Sequence, residues 1–266
     1  MTSVIRTGRA RFVGRINFLG LFTGLLLLGI WQALVSSGVL IYSYLPAPSA
    51  IWSGGVELGS SGDLWPNLVH TLWVTLAGWA IAAAIGVMLG ILLGLSHFAW
   101  RYSMATIEVL RALPVVAFVP AAILVFGFSG QMELVITVYA AAWPILINTI
   151  DGVRGVHPGL LDVGKTLRMS RSDQIGKLIL PAALPVILIG LRLGLTTALV
   201  LAVVAEMIGN PDGLGYQLVF QERALQPEKM FAYVVIIGIL GLVLNMAVIA
   251  AARFLPGSRW FRGDNQ

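Results

Sequence analysis

The sequence predicts an all-α integral membrane protein with about six transmembrane helices. Hydrophobic residues occupy 58% of the 266 positions and charged residues only 11%, whereas roughly a quarter of the residues in a soluble domain are charged. Six apolar runs approach the length needed to cross the hydrocarbon core of a bilayer, which is about 30 Å thick. Basic residues gather in alternate segments between these runs, which is the arrangement of a multi-pass membrane protein.

The six predicted spans are residues 18–40, 69–95, 113–128, 134–150, 183–208 and 230–255. The third and fourth are the weakest because they are short and contain Pro114, Pro120 and Pro144, although a membrane helix tolerates proline where its neighbours satisfy the freed backbone groups. The first run would extend roughly 34 Å as a helix. That exceeds the apolar core of a secretory signal, so the run is interpreted as the first transmembrane helix.

The distribution of Lys and Arg predicts that both termini are cytoplasmic. Segments 41–68 and 129–133 contain no Lys or Arg, and segment 209–229 is mixed. Because Lys and Arg are enriched in cytoplasmic loops, these three segments are expected outside and the basic ones inside. The basic residues that support this orientation are Arg6, Arg9, Arg11, Arg15, Arg101, Arg154, Lys165, Arg168, Arg171, Lys177, Arg259 and Arg262.

Composition also disfavours several functions. The chain has no cysteine, and His70, His97 and His157 form no pair at metal-ligand spacing, so no metal site and no cofactor bound by this chain are predicted. A membrane enzyme is disfavoured because the sequence presents no carboxylate cluster, histidine pair or activated nucleophile, and no catalytic residue is assigned. The net charge of +5 is attributed to cytoplasmic loops and not to nucleic-acid binding.

The stretch PGLLDVGKT at residues 158–166 matches the phosphate-binding pattern G-x-x-x-x-G-K-[ST] in its letters. That pattern binds phosphate where a strand leads into a glycine-rich loop at the start of a helix. Here the stretch follows a predicted membrane helix instead of a strand. Nucleotide binding by this chain is therefore not predicted.

Residues 158–180 instead have the pattern of two short helices. Pro158 suits a first helical position, and Ser170 with Asp173 forms a capping-box pattern that would begin a second helix at residues 171–180, before the fifth span. The apolar face of the first helix consists of Leu160, Leu161, Gly164 and Leu167, at three- and four-residue spacing. The residues alone leave two interpretations open: this helix lies on the inner membrane surface, or it inserts into a groove of a soluble partner.

Two charged residues lie within the fifth predicted span. Arg192 is expected near the bilayer midplane, where an unpaired arginine costs about 2.5–3.5 kcal/mol, so it should face a partner or a water-filled path. It would either hold the bundle together or attract an anion in transit. Glu206 lies roughly 21 Å further along the helix and is expected to position the outer loop that contains Gly213 and Gly215.

Close contacts between helices are predicted by small residues. Gly86, Gly90 and Gly94 recur every four residues in the second span and permit two helices to cross closely. Trp143, within the fourth span, is expected to pack between helices or to line a path. Glu108 and Arg111 are three residues apart and are expected to form a local pair on one helix.

The letters around the two short helices follow a longer pattern. Asp162, Val163 and Gly164 are followed after three residues by Arg168 and then, after nine more, by the segment 178–181, LILP. This resembles the signature E-A-A, three residues, G, nine residues, I-x-L-P of the permease subunits of binding-protein-dependent ABC importers. The stretches LRALPVVAFVPAAILVFG, WPILINTIDGVRGVHPGLLDVGKTL and GLGY resemble the branch that carries nitrate, taurine and aliphatic sulfonates, and the resemblance covers roughly residues 45–255.

The resemblance implies the type I ABC importer permease fold in one domain, residues 1–266, with a core at about 65–255 and a coupling loop at 151–181. It implies that residues 158–170 form a coupling helix that docks on a separate ATPase subunit, where ATP and Mg bind. The residues expected in that contact are Leu160, Asp162, Val163, Gly164, Lys165, Leu167, Arg168, Ser170, Leu180 and Pro181. Because Arg168 replaces a glycine that permits a sharp helix end, either the bend moves to Met169 and Ser170 or Arg168 makes a new contact with its partner.

The implied assembly lies in the bacterial plasma (inner) membrane and contains a second permease subunit, with a homodimer expected, two cytoplasmic ATPase subunits and an extracytoplasmic solute-binding protein. Its expected function is ATP-driven import of a small solute, with an organic or inorganic anion such as a sulfonate, taurine or nitrate favoured. The residues assigned to a translocation path or gate are Arg192, Glu206, Trp143, Gly213 and Gly215. The alternative is a stand-alone secondary transporter or channel with a loop on the membrane surface.

Overall fold

The computed structural model describes residues 18–39, 42 and 44–252, and the basic residues expected near the two termini lie outside this part of the chain. Within it the chain forms eleven α-helices and no strand. The helices are α1 (Phe18–Ser36), α2 (Pro48–Ser61), α3 (Leu64–Leu95), α4 (His97–Ala112), α5 (Val119–Phe126), α6 (Gly130–Arg154), α7 (Pro158–Thr166), α8 (Arg171–Gln174), α9 (Leu180–Gly209), α10 (Leu214–Arg223) and α11 (Pro227–Ala252). A 3-10 turn, Val115–Phe118, precedes α5, and a π-helical turn, Ile175–Ile179, joins α8 to α9.

Five helical segments in the described ranges are long and apolar enough to cross a bilayer: α1, α3, α6, α11 and the continuous segment Arg171–Gly209. The pair formed by α4 and α5 makes a sixth if it is taken as one span, although the two helices are bent by 77° at the break between them. The all-α membrane fold with about six spans is confirmed in this form.

Proline explains why the third and fourth spans differ from their predicted bounds. The third does not run as one helix over residues 113–128, because α4 ends at Ala112 and the chain turns at Leu113 and Pro114. Proline disfavours helical backbone at the residue before it, so the chain breaks there. The fourth span is longer than expected, since α6 continues through Pro144 and is 25 residues long.

The centre of the molecule is a triplet of helices, α3, α6 and α9, which pack along their lengths. Gly78 of α3 lies beside Thr137 of α6, and Gly94 lies beside Val153, so these two helices run parallel. Gly190 of α9 lies beside Asn148, and α9 runs antiparallel to both. The indole N–H of Trp79 in α3 also donates to the carbonyl oxygen of Leu191 in α9 over 2.9 Å.

The glycine stripe of α3 allows an unusually close approach to α6. A Cβ atom built at Gly90 would lie 2.5 Å from Cβ of Thr149 and 3.1 Å from the carbonyl oxygen of Leu146. At Gly86 and Gly94 the corresponding nearest distances are 2.9 and 2.8 Å. A side chain at any of these positions would require the two helices to separate, so the predicted close crossing is confirmed.

The remaining helices surround the triplet. Helix α11 packs against α2, α9 and α10, while α5 packs against α6 and α4 against α3. Helix α1 contacts α2 and leaves most of its apolar side chains exposed, as expected of a helix that faces lipid. The bundle has an α7 end, where α6 ends and α9 begins, and an α10 end, where α9 ends and α11 begins.

The second short helix predicted at residues 171–180 is not separate from the fifth span. Helix α8, the π-helical turn and α9 form one continuous helical segment from Arg171 to Gly209. Pro181, which has no N–H to donate, lies just after the π-helical turn Ile175–Ile179 and does not interrupt the segment. The loop from α7 is therefore connected directly to a membrane-spanning helix.

Gly90→Ala is expected to lower the free energy of unfolding by about 1–3 kcal/mol, because the added methyl group would overlap Thr149. The measurement is thermal unfolding of the purified protein in detergent. Gly29→Ala is the matched control, since a Cβ atom at Gly29 of α1 would meet no atom within 4 Å. Equal unfolding temperatures for the two variants would contradict the close packing of α3 on α6.

Candidate functional sites

Helix α7 is a short helix at one end of the bundle. His157 caps its N-terminus by accepting a hydrogen bond from the backbone N–H of Gly159 through Nδ1, over 3.1 Å. Pro158 occupies the first turn, as predicted. Lys165 is paired with Asp162 at 2.8 Å. The stretch PGLLDVGKT is thus helical over its whole length, whereas the phosphate-binding pattern consists of a glycine-rich loop that follows a strand.

The end of α7 is a Schellman turn built on an arginine. The backbone N–H of Met169 donates to Gly164 and that of Arg168 donates to Lys165, over 3.0 and 2.9 Å, and this pair of bonds defines the motif. Arg168 lies at its left-handed position with a φ of 51°, where glycine is usual. The bend thus stays at Arg168, and the alternative in which it moves to Met169 and Ser170 is wrong.

The predicted apolar face of α7 divides into a packed part and an exposed part. Gly164 is buried, and a Cβ atom there would lie 2.9 Å from Cδ1 of Leu178, so α7 packs directly on the helical segment that continues into α9. Leu167 is 68% exposed and Val163 is 50% exposed. Leu160 and Leu161, also on the predicted apolar face, are partly buried, so Val163 and Leu167 are the two large apolar side chains of α7 and its C-terminal turn that are exposed.

The start of α8 is capped as predicted. The hydroxyl oxygen of Ser170 accepts from the backbone N–H of Asp173 over 3.2 Å, and the hydroxyl donates to the Asp173 carboxylate over 2.7 Å. Lys177 pairs with the same carboxylate. These contacts fix where the continuous helix begins relative to the turn at Arg168.

Arg192 lies in an apolar groove between α9 and α11. The groove has a volume of about 750 Å³ and is lined mainly by aliphatic side chains. The Nε–H group of Arg192 donates to Oδ1 of Asn245 in α11 over 2.6 Å. A guanidinium carries five N–H donors, and this bond uses one of them.

Glu206 holds the loop between α9 and α10 at the other end of the bundle. Its fully buried carboxylate accepts hydrogen bonds at Oε2 from the backbone N–H of Gly215 and from the hydroxyl of Thr71, over 2.9 and 3.0 Å. The Thr71 oxygen accepts in turn from the backbone N–H of Leu214 over 2.9 Å. The amide oxygen of Asn67 accepts from the N–H of Gly213 over 2.8 Å. The expected role of Glu206 in positioning this loop is confirmed.

Two more ionisable side chains lie beside Glu206. The Nε2 atom of His70 in α3 is 2.8 Å from Oε2 of Glu133 in α6, and Glu133 is fully buried. His70, Glu133 and Glu206 each offer one atom to a group in which these atoms lie within 4.8 Å of one another. Asn210, at the end of α9, lies 3.3 Å from Nε2 of His70 through its side-chain nitrogen.

Comparison with known proteins identifies the family. The model of the binding-protein-dependent transport system inner membrane component matches residues 86–258, more than half of the chain. The chain belongs to this family. It is a multi-pass protein of the plasma membrane and a permease subunit of an ABC importer.

Individual relatives agree with the family. A protein named as the aliphatic sulfonates transport permease SsuC of Bacillus subtilis is 36% identical over 84% of this chain and 80% of its own length. The nitrate import permease protein NrtB of Leptolyngbya laminosa is 28% identical over 86% of this chain and 85% of its own. Among solved structures, a chain of the MetNI methionine ABC transporter superposes with a TM-score of 0.62 at 21% identity, covering 71% of this chain and 94% of that chain, which shows a common fold.

The permease does not bring all of its predicted site residues together. The predicted ATPase-contact residues lie in α7, the turn after it and the helical segment that continues into α9. Of the residues assigned to a path or gate, Glu206, Gly213 and Gly215 lie together at the α10 end, whereas Arg192 lies in the groove between α9 and α11. Trp143 packs edge-on against Tyr139 and among apolar residues that include Ile107 of α4.

Sequence reasoning missed four polar residues around Glu206 and the residue that accepts a hydrogen bond from Arg192. Asn67, Thr71, His70 and Glu133 lie on α3 and α6, and Asn245 lies on α11. The available signal was their position inside or at the edge of apolar spans, where polar side chains are costly and usually have a specific partner. Their mutual contacts follow from how α3, α6 and α9 pack and have no local signature.

Thr71→Val is expected to lower the free energy of unfolding by about 1–3 kcal/mol, because it removes a buried acceptor from the Leu214 N–H and a donor from Glu206. Thermal unfolding in detergent is the measurement. Thr197→Val is the matched control, since among the described residues the Thr197 hydroxyl bonds only to Leu193 in its own helix. If both variants unfold at the same temperature, the hydroxyl of Thr71 does not hold the loop.

Proposed function

We propose that this permease imports a small anion, such as a sulfonate, taurine or nitrate, as one of two identical membrane subunits that dock on two ATPase subunits and receive solute from a binding protein. In this proposal ATP and Mg bind to the ATPase subunits, and the permease performs no covalent chemistry. The α7 end faces the cytoplasm, so both termini are cytoplasmic and the α10 end faces the binding protein.

The exposed side chain of Leu167 is the observation that supports docking through α7. An apolar side chain that is 68% exposed beside Lys165 and Arg168 would gain free energy in a groove of a soluble partner, at about 1.5–3 kcal/mol for a fully buried leucine. The opposite side of α7 packs on the segment that leads into α9. A displacement of α7 would therefore be transmitted to a membrane-spanning helix without an intervening flexible loop.

Docking on a partner accounts for α7 better than a membrane-surface helix does. A surface helix places its whole apolar face in the lipid, whereas the Gly164 side of α7 is occupied by Leu178 and Gln174. The exposed large apolar side chains of α7 and its C-terminal turn, Val163 and Leu167, stand beside the charged residues Asp162, Lys165 and Arg168. That arrangement suits a specific contact more than insertion into the headgroup layer.

The groove that contains Arg192 supports two parts of the proposal, the pairing with a second permease subunit and the transport of an anion. Exposed apolar side chains surround it on α9 and α11, among them Leu193, Val200 and Leu242, and a second copy would cover them. A cation held by Asn245 in such a groove would attract an anion, because electrostatic attraction is strong where water is excluded. The names of the sulfonate and nitrate relatives are in keeping with this class of solute.

A stand-alone secondary transporter or channel is the rival function. It would need ion-coordinating or titratable groups on a path through one chain. Among the described residues the groove contains one charged side chain, Arg192, and the buried cluster of His70, Glu133 and Glu206 lies apart from the groove, at the α10 end. The tests below separate the two functions because only the proposed one depends on an ATPase partner.

Leu167→Asp is expected to leave the permease in the membrane but to abolish transport-coupled ATP hydrolysis. Loss of a buried leucine contact of about 1.5–3 kcal/mol corresponds to roughly tenfold to hundredfold weaker association. The measurement is ATPase activity and partner recovery after purification from membranes. Wild-type coupling in this variant would refute docking through α7.

Two control variants accompany Leu167→Asp. Leu167→Met keeps an apolar side chain of similar size and should retain coupling. Ser172→Asp adds the same charge to the exposed first turn of α8, where a negative charge suits the helix N-terminus, and should also retain it. Loss of coupling in either control would show that the effect of aspartate is not specific to the Leu167 contact.

Arg192→Ala is expected to lower solute uptake more than it lowers the yield of the assembled complex, because the guanidinium is available to the groove. Uptake of labelled taurine or nitrate and the amount of purified complex are measured on the same preparations. Asn245→Ala is the companion variant, which loses the bond to Arg192 but keeps the cation. Parallel loss of uptake and yield in Arg192→Ala would assign the arginine a structural role instead.

A further inference from the structure

The cluster of His70, Glu133 and Glu206 places three metal-ligating side chains from three different helices at one point. Their nearest ligand atoms all lie within 4.8 Å of one another. His70 belongs to α3, Glu133 to the first turn of α6 and Glu206 to the last turns of α9. Because each helix is long and packed into the central triplet, the positions of these groups are fixed by the fold and not by a mobile loop.

The two carboxylates are not satisfied by the hydrogen bonds that the described residues provide. Glu133 and Glu206 are both fully buried, and Oε1 of each is a buried oxygen without a hydrogen-bond partner in the described part of the chain. A buried acceptor left unsatisfied costs about 1–3 kcal/mol and more if it is charged. Each carboxylate therefore has one oxygen that is available to a ligand.

The cluster contains two carboxyl groups and one basic side chain. No Lys or Arg among the described residues forms a salt bridge with either carboxyl group, and His70 contacts Glu133. Removing an ion from water costs several kcal/mol unless an opposite charge compensates it. A divalent cation would balance both carboxylates while leaving the imidazole neutral, as a metal ligand requires.

We propose that this cluster binds a divalent transition-metal ion, with Zn²⁺ as the representative, through Nε2 of His70 and one oxygen each of Glu133 and Glu206. One imidazole with two carboxylates is a ligand set that suits zinc and its neighbours. Calcium is disfavoured because it takes six to eight oxygen ligands. Tetrahedral ligand atoms about 2.0–2.2 Å from zinc are roughly 3.3–3.6 Å apart. The more distant atoms of the cluster must therefore close on the ion, whereas Nε2 of His70 must separate slightly from Oε2 of Glu133, 2.8 Å away, if that oxygen is the ligand.

The surroundings offer a fourth ligand and an entry route. The Asn210 side-chain amide lies beside Nε2 of His70, and rotating this amide group by about 180° would present its oxygen to the ion. Zinc sites with three protein ligands also accept water in the fourth position. The His70 side chain is 24% exposed and lines a recess with Trp73, Phe126 and Gln131, through which an ion could reach the carboxylates.

The bound ion would connect the three central helices to the loop between α9 and α10. Oε2 of Glu206 already accepts from the Gly215 N–H and the Thr71 hydroxyl, and its other oxygen is the unpartnered one. The Glu206 carboxylate would thus bind both the loop and the ion. The ion would fix the α10 end of the permease, and its binding does not depend on which solute is transported or on docking of an ATPase.

The test measures Zn²⁺ bound by the full-length permease, purified with its partners through an affinity tag that contains no histidine. After chelation and removal of free metal, Zn²⁺ is added, and the bound metal is counted by mass spectrometry. Wild type is expected to hold about one Zn²⁺ per permease chain more than the cluster variants hold. Glu133→Gln and His70→Gln should each bind it at least tenfold more weakly, since each removes a ligand.

Matched controls are His97→Gln and Glu222→Gln, which change exposed residues outside the cluster and should bind Zn²⁺ as wild type does. Zn²⁺ should also raise the unfolding temperature of wild type and both controls but not of the two cluster variants. If a cluster variant fails to fold, wild type is titrated with Co²⁺ instead. The expected result is that Co²⁺ produces visible absorption bands and that added Zn²⁺ abolishes them.

The proposal is overturned if wild type holds no more Zn²⁺ than Glu133→Gln, or if wild type shows neither bound Zn²⁺ nor a Co²⁺ spectrum. The cluster would then be a hydrogen-bonded network that shares protons between its carboxylates. Because all variants are compared in the same complex, zinc bound by a partner subunit would cancel. Loss of Zn²⁺ binding would leave the ATPase test of Leu167 unaffected, so the two proposals fail independently.

Discussion

The close approach of α3 to α6 is the constraint on which the rest of the structure depends. With no side chain at Gly90, the two helices come so near that a single Cβ atom would lie 2.5 Å from Thr149. In lipid there is little hydrophobic gain from bringing helices together, so such packing depends on small residues and on the dispersion contacts that they permit. This contact sets the position of α6, and α9 packs in turn on both helices.

The buried polar groups at the α10 end can exist only because this packing excludes both lipid and water. Thr71 and Glu206 form hydrogen bonds that are strong in a medium of low dielectric constant, and the same medium makes each unsatisfied group costly. The loop at residues 210–215 is ordered by these bonds. A side chain at Gly213 would overlap the Glu206 carboxylate, and one at Gly215 would overlap the carbonyl oxygen of Val203. The helix packing therefore allows the buried carboxylate of Glu206, which would otherwise be unfavourable, to hold the loop in place.

Local sequence rules predicted what depends on local structure. The spans, the helix at α7, the Ser170 cap and the pair of Glu108 with Arg111, whose closest atoms are 2.6 Å apart, follow from composition, spacing and side-chain reach. The bend at Arg168 was harder to predict. A non-glycine residue in the left-handed conformation costs about 1–3 kcal/mol, and the two backbone hydrogen bonds that offset this cost are not evident from the sequence. His70 and Glu133 are 63 residues apart, and only the packed triplet reveals that they meet Glu206.

One helical segment links every site of this permease. From Arg171 to Gly209 it begins beside α7, passes Arg192 in the groove and ends beside Glu206, a length of roughly 58 Å. The π-helical turn at Ile175–Ile179 interrupts the regular ladder of backbone bonds near the start of this segment. If α7 docks on an ATPase as proposed, its displacement would bend the segment at this turn and move the remainder together, so the groove and the α10 end would respond together.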